Sequence, residues 1–139
     1  MLNLPKSWPK RVGLFALAIA FVTPGINHFL NPEFFVAIMP PYLPAHLEIV
    51  YLSGVFEIAG GLGVLIPSVR SLAGWGLVLL LVAVFPANLH MAMNPELFSD
   101  MSPTALYFRL PMQIVLILWA YWATRPDTFS APDGDGMRT

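Results

Sequence analysis

Four long apolar stretches, residues 12–30, 49–66, 71–93 and 104–124, dominate the chain, and each is close to the length that crosses a bilayer. About 20 residues at roughly 1.5 Å of helical rise cover the ~30 Å of hydrocarbon. Every charged residue except Glu57 and Arg109 lies outside these stretches. Lipid offers the backbone no hydrogen-bond partners, so each stretch is expected to be a helix. The fold class this predicts is all-α: a four-transmembrane-helix bundle running up-down-up-down.

Composition points the same way. Of 139 residues, 57% are hydrophobic and 11% charged, where a soluble domain carries roughly a quarter charged residues. The length suits one domain, expected over 1–126, with a disordered tail over 127–139 rich in Asp and Gly. A net charge of −1 gives no footing for nucleic acid. Cysteine is absent, which excludes disulfides, thiolate catalysis and Cys-ligated metal. Lys6, Lys10 and Arg11 before an apolar run, with Ala18-Ile19-Ala20 further on, imitate a secretory signal. The run continues to Leu30, so it is expected to be a retained span.

The basic residues set the orientation. Lys6, Lys10 and Arg11 precede the first stretch, Arg70 separates the second from the third, and Arg125 and Arg138 follow the fourth. Segments 31–48 and 94–103 hold no Lys or Arg but carry Glu33, Glu48, Glu96 and Asp100. The positive-inside rule then places both termini in the cytoplasm. Trp8, Trp75, Trp119 and Trp122 fall at that interface, and Tyr42, Tyr51 and Tyr107 near the other. The expected location is a bacterial cytoplasmic (inner) membrane.

Segment 31–48 is both proline-rich and apolar. Asn31-Pro32-Glu33 has the form of a helix start, with Asn as cap and an acid on the positive dipole end. It predicts a short interfacial helix over 32–38, stopped by Pro40-Pro41. Asn-Pro-Glu recurs at Asn94-Pro95-Glu96, and Pro24-Gly25-Ile26-Asn27-His28 is echoed by Pro86-Ala87-Asn88-Leu89-His90 with the Pro-to-Asn spacing slipped by one residue, which suggests either duplicated hairpins or one helix start used twice.

The candidate site residues are Glu57, Arg109, His28, Asn27, Asn88, His90 and Gln113. Ionisable groups inside a span cost about 2.5–3.5 kcal/mol at its centre and face the protein interior. Glu57 and Arg109 differ by about 5 Å in depth, within reach of an ion pair that serves either function or helix register. His28 is a candidate ligand contact or a donor to a backbone carbonyl freed by a kink. Asn88 and His90, two apart, point nearly opposite ways on a straight helix. Ser53, Gly54, Gly60 and Gly61 flank Glu57 and allow close approach by a neighbour. Pro24, Pro86 and Pro111 are expected to interrupt three helices in their outer halves, opening a pocket over a polar floor. No metal-motif spacing links the histidines, and no catalytic constellation is assigned.

The runs Thr23-Pro24-Gly25-Ile26-Asn27-His28-Phe29, Met39-Pro40-Pro41, Leu43-Pro44, Ser53 to Gly61 around Glu57, and Phe85-Pro86-Ala87-Asn88 resemble the DoxX family of small bacterial membrane proteins. The resemblance spans about 11–124. It implies a four-helix membrane bundle with Glu57, Asn88 and His28 on motif positions, and a link to quinone-dependent oxidoreductases and oxidative-stress complexes. The family's thiol chemistry uses cysteines, which this chain lacks. A more remote similarity is to a neuronal membrane chaperone of receptor assembly.

Together these readings predict a small accessory membrane protein, not an enzyme by itself, that binds a quinone or lipid-like hydrophobic molecule in an outer-half polar pocket. It would be redox-linked at most as a subunit, with no covalent cofactor. The alternatives are an assembly or chaperone subunit docking a protein partner through its outer loop, or a proton-coupled carrier acting as a homodimer.

Overall fold

The computed structural model of the protein describes residues 3–127. The tail expected to be disordered therefore lies, but for Asp127, outside the described residues. Within them all regular structure is helical. α1 (Trp8–Leu30) leads into α2 (Pro32–Ala37), and α3 (His46–Gly63) returns. α4 (Arg70–Ala83) and α5 (Phe85–Met93) form a broken rod, followed by a 3-10 turn (Pro95–Leu97) and α6 (Pro103–Thr124). Among the described residues three helical segments are long and apolar enough to cross a membrane: Trp8–Leu30, Arg70–Met93 and Pro103–Thr124. α3 falls outside this set, since its 18 residues include His46, Glu48 and Glu57.

Local signals fix the helix starts. Ser7 and Ser102 each accept a hydrogen bond from the backbone N–H three residues on, with proline in the first turn. α2 occurs where Asn31-Pro32-Glu33 predicted it, but Asn31 caps without a side-chain bond, its Nδ2 donating instead to Asn27 Oδ1 at 2.6 Å. Of the three prolines expected to interrupt helices, only Pro86 lies at a break, at Val84. α1 and α6 run on through Pro24 and Pro111. A proline removes one backbone bond, and a packed helix can continue past the gap.

The rods form a ring: α1 packs on α3, α3 on α4, α4 on α6 and α6 on α1. Past the break the pairing changes, and α5 lies against α6. The core is a band of Leu14, Leu17, Phe21, Val64, Leu77, Leu81 and Ala120 in the half nearer the basic residues. The α1–α3 contact is the most extensive, and its closeness depends on glycine. A Cβ built on Gly54 would stand 2.8 Å from His28 Cβ and 3.0 Å from the Gly25 carbonyl, and one on Gly25 would stand 3.0 Å from Glu57 Cβ. Only hydrogen side chains let the two backbones meet here.

The described lysines and arginines other than Arg109 gather at one end, where Lys10, Arg70 and Arg125 fasten helix termini to each other. Lys10, 8% exposed, donates to the Arg125 carbonyl at 2.7 Å and pairs with Asp127 at 3.0 Å. Arg70 Nε and Nη2 donate to the Val64 and Leu65 carbonyls, and Nη1 to Asn3. Arg125 reaches the Ser71 carbonyl and lies over the rings of Trp75 and Tyr121, 4.9 and 5.0 Å from their centroids.

Candidate functional site

In the half of the bundle away from the basic end, the helices enclose a cavity of about 440 Å³. This falls in the roughly 300–1,000 Å³ range of small-molecule sites. Four elements supply its polar lining: His28 from α1, Ser53 and Glu57 from α3, Asn88 from α5, Arg109 and Gln113 from α6. The remaining surface is apolar, from Leu81, Met112 and Leu116 and from the segment after α1.

That segment is a strap. After α2, Pro40 is buried and its carbonyl accepts a hydrogen bond from His46 Nε2 at 3.1 Å. Ala45 takes a left-handed conformation (φ 50°) to turn the chain into α3. Held this way, Phe35, Ile38, Met39 and Leu43 line the cavity, and Phe35 stacks on the His28 ring at 3.8 Å. Sequence reasoning gave this loop only an alternative role in docking a partner and placed none of these residues in the pocket. The signal for the strap was present in a proline-rich segment far too apolar for an exposed loop.

The close approach of α1 and α3 brings His28 to Glu57. His28 Nδ1 faces the Val50 carbonyl at 2.8 Å, and a carbonyl can only accept, so Nδ1 carries a hydrogen. Nε2 stands 3.2 Å from Glu57 Oε2. Oε2 is buried without a hydrogen bond of its own. A proton placed between the two groups makes the pair either an imidazolium facing a carboxylate or a carboxylic acid facing a bare Nε2. The expected Glu57–Arg109 ion pair does not form. Both line the cavity, but Glu57 sits against His28, and Arg109 Nη1 contacts Met91 Sδ at 3.3 Å. A comparison of depth could not tell on which side of α3 the glycine seam would place a cation.

Gln113, buried on α6, uses both ends of its amide. Nε2 donates to the Leu81 carbonyl at 2.6 Å, beside the α4–α5 break, and Oε1 accepts from Asn88 Nδ2 at 2.8 Å. Asn88 therefore faces inward. His90 does not: it accepts from Asn94 Nδ2 at 3.2 Å and meets Phe98 edge-on, outside the cavity lining. Asn27 is likewise outside it, bonded to Asn31. Among the described residues no three His, Asp or Glu side chains come together as a set able to hold a metal ion.

The comparisons with known proteins correct one expectation. A family model described as a domain of unknown function, DUF8561, matches residues 17–124, which include every residue lining the cavity. No curated protein and no solved structure matches the chain. The family found is not DoxX, and the resemblance to DoxX is overturned with it. Its motifs were short proline and small-residue runs, which any tightly packed helices around buried polar groups favour, so they do not discriminate one family from another. The chain belongs to the family of the domain of unknown function DUF8561.

Proposed function

We propose that this chain is a four-span membrane protein that holds a lipid-like amphiphile in its cavity. α3 is the fourth span: its 18 residues reach about 27 Å, and it packs between α1 and α4 as they do against it. Lys6, Lys10, Arg11, Arg70 and Arg125 lie on the cytoplasmic side by the positive-inside rule, with both ends of the helical body there. The cavity then belongs to the outer half of a cytoplasmic membrane.

One observation carries the reading: a cavity with a polar floor of His28, Ser53, Glu57, Asn88, Gln113 and Arg109 and otherwise apolar walls, lined on one side by an apolar strap. Such a division fits a molecule with a polar head and an apolar body. A quinone was part of the expectation through the family resemblance alone, and the residues themselves favour no ring system. The strap also bears on the assembly reading. Its Phe35, Ile38, Met39 and Leu43 line the cavity, which favours a ligand there.

The test is extraction of the full chain purified in mild detergent, followed by mass spectrometry. A near-stoichiometric amphiphile is expected, lost on Ala87→Phe, which fills the cavity, and retained on Leu72→Phe, which faces outward at 74% exposure. Identical lipid profiles from both variants and the parent would sink the reading.

A further inference from the structure

Arg109 is the one described lysine or arginine that is not at the basic end, and among the described residues no ion pair answers its charge. Its guanidinium lines the cavity, where its hydrogen bond goes to Met91 Sδ, a weak acceptor. Among the described residues no carboxylate lies within 4.0 Å of it. Glu57 is set against His28 Nε2 at 3.2 Å and not against the guanidinium. Glu33, Glu48, Glu96 and Asp100 are exposed beyond the helix ends or in the first turn. A cation held at this depth needs a counter-charge, and its planar fork of donors matches carboxylate or phosphate oxygens in pairs.

We propose that the cavity takes a single-chain amphiphile with an anionic head, bound at Arg109, with its chain along Leu81, Met112 and Leu116. This rests on the ligand reading above and names its substrate class. A fatty carboxylate and a lysophospholipid phosphate share the chemistry.

The experiment measures binding of tritiated palmitate, its methyl ester, a lysophosphatidate and the matching monoacylglycerol to the full chain in neutral detergent. Each anion should bind roughly ten- to a hundredfold more tightly than its neutral counterpart, and the tighter of the two anions identifies the source of the head group. Arg109→Gln should bring acid and ester to equal affinity, and Arg109→Lys should restore part of the preference. Equal binding of acid and ester by the parent protein overturns the anionic head while leaving an amphiphile site in place. No binding of any of the four, with no extractable lipid, overturns both. The acid-to-ester ratio of the parent needs no variant, so a poorly folding Arg109→Gln does not blunt the test.

Discussion

His28 Nε2 stands 3.2 Å from Glu57 Oε2, across a seam where α1 and α3 touch through glycine. Glu57→Gln should keep the fold, because an amide N–H can donate to a bare Nε2 and the side chain keeps its shape. Glu57→Ala leaves Nε2 facing a void, and His28→Ala leaves a buried carboxyl alone. Each should cost about 1–3 kcal/mol. Thermal unfolding in detergent decides it: if Glu57→Ala unfolds with Glu57→Gln, the pair contributes nothing to stability.

The seam itself predicts a contrast between glycines. A Cβ on Gly54 meets His28 Cβ at 2.8 Å and the Gly25 carbonyl at 3.0 Å, whereas one on Gly76 meets nothing within 4 Å. Gly54→Ala should force the helices apart at about 1–3 kcal/mol. Gly76→Ala should be neutral or mildly stabilising, through helix propensity. Equal melting temperatures for the two variants would mean the helices can part freely.

What the sequence disclosed and what it concealed divide along a physical line. Properties set by neighbours in the chain were readable: the short helix at Pro32 and the opposed directions of Asn88 and His90. Properties set by contacts between distant segments were not. α3 begins at His46 because that residue's ring clamps the Pro40 carbonyl, and it ends at Gly63 although the apolar run continues to Ile66. There Val64 is buried in a turn whose carbonyls Arg70 takes up. Depth along two helices suggested Arg109 for Glu57. Which faces meet depended on Gly25 and Gly54, and these chose His28. The repeated Asn-Pro corner is half-legible: Asn31 and Asn94 share nearly the same backbone angles (φ −135°, ψ 60° and φ −130°, ψ 56°), yet a helix and strap follow one and a 3-10 turn the other.

At the basic end the Lys10–Asp127 contact predicts a dependence on acid. The Lys10 hydrogen bond and charge, with help from the Lys6 backbone N–H, hold the Asp127 carboxyl below its usual range. A carboxyl lowered in the folded state contributes above its unfolded value of about 3.9, and that contribution is lost as pH falls through the lower folded value. Protection of residues 5–10 against hydrogen exchange, taken relative to the intrinsic rate at each pH, should therefore fall below about pH 4. Asp127→Asn should abolish this pH dependence by giving, already at neutral pH, the lower protection that the parent shows in acid. Lys10→Met should quicken exchange at every pH, because the Arg125 carbonyl loses its donor too. The same acid response in Asp127→Asn would assign it to another group.

Gln113 gives the sharpest energetic test, because both ends of one buried amide are in use. Gln113→Met strips the Leu81 carbonyl of its donor and Asn88 Nδ2 of its acceptor. A loss of about 1–3 kcal/mol is expected. Asn88→Leu alone leaves Oε1 of Gln113 unpaired and should cost less, since Nε2 still holds Leu81. In the double variant the Asn88 orphan no longer exists, so its loss should fall short of the two single losses added, by about 0.5–3 kcal/mol. Additive losses would mean that the Asn88–Gln113 bond carries no coupling. The polar floor would then consist of separate residues, each held by its own helix, and a ligand bridging Asn88 and Arg109 would sense α5 and α6 independently.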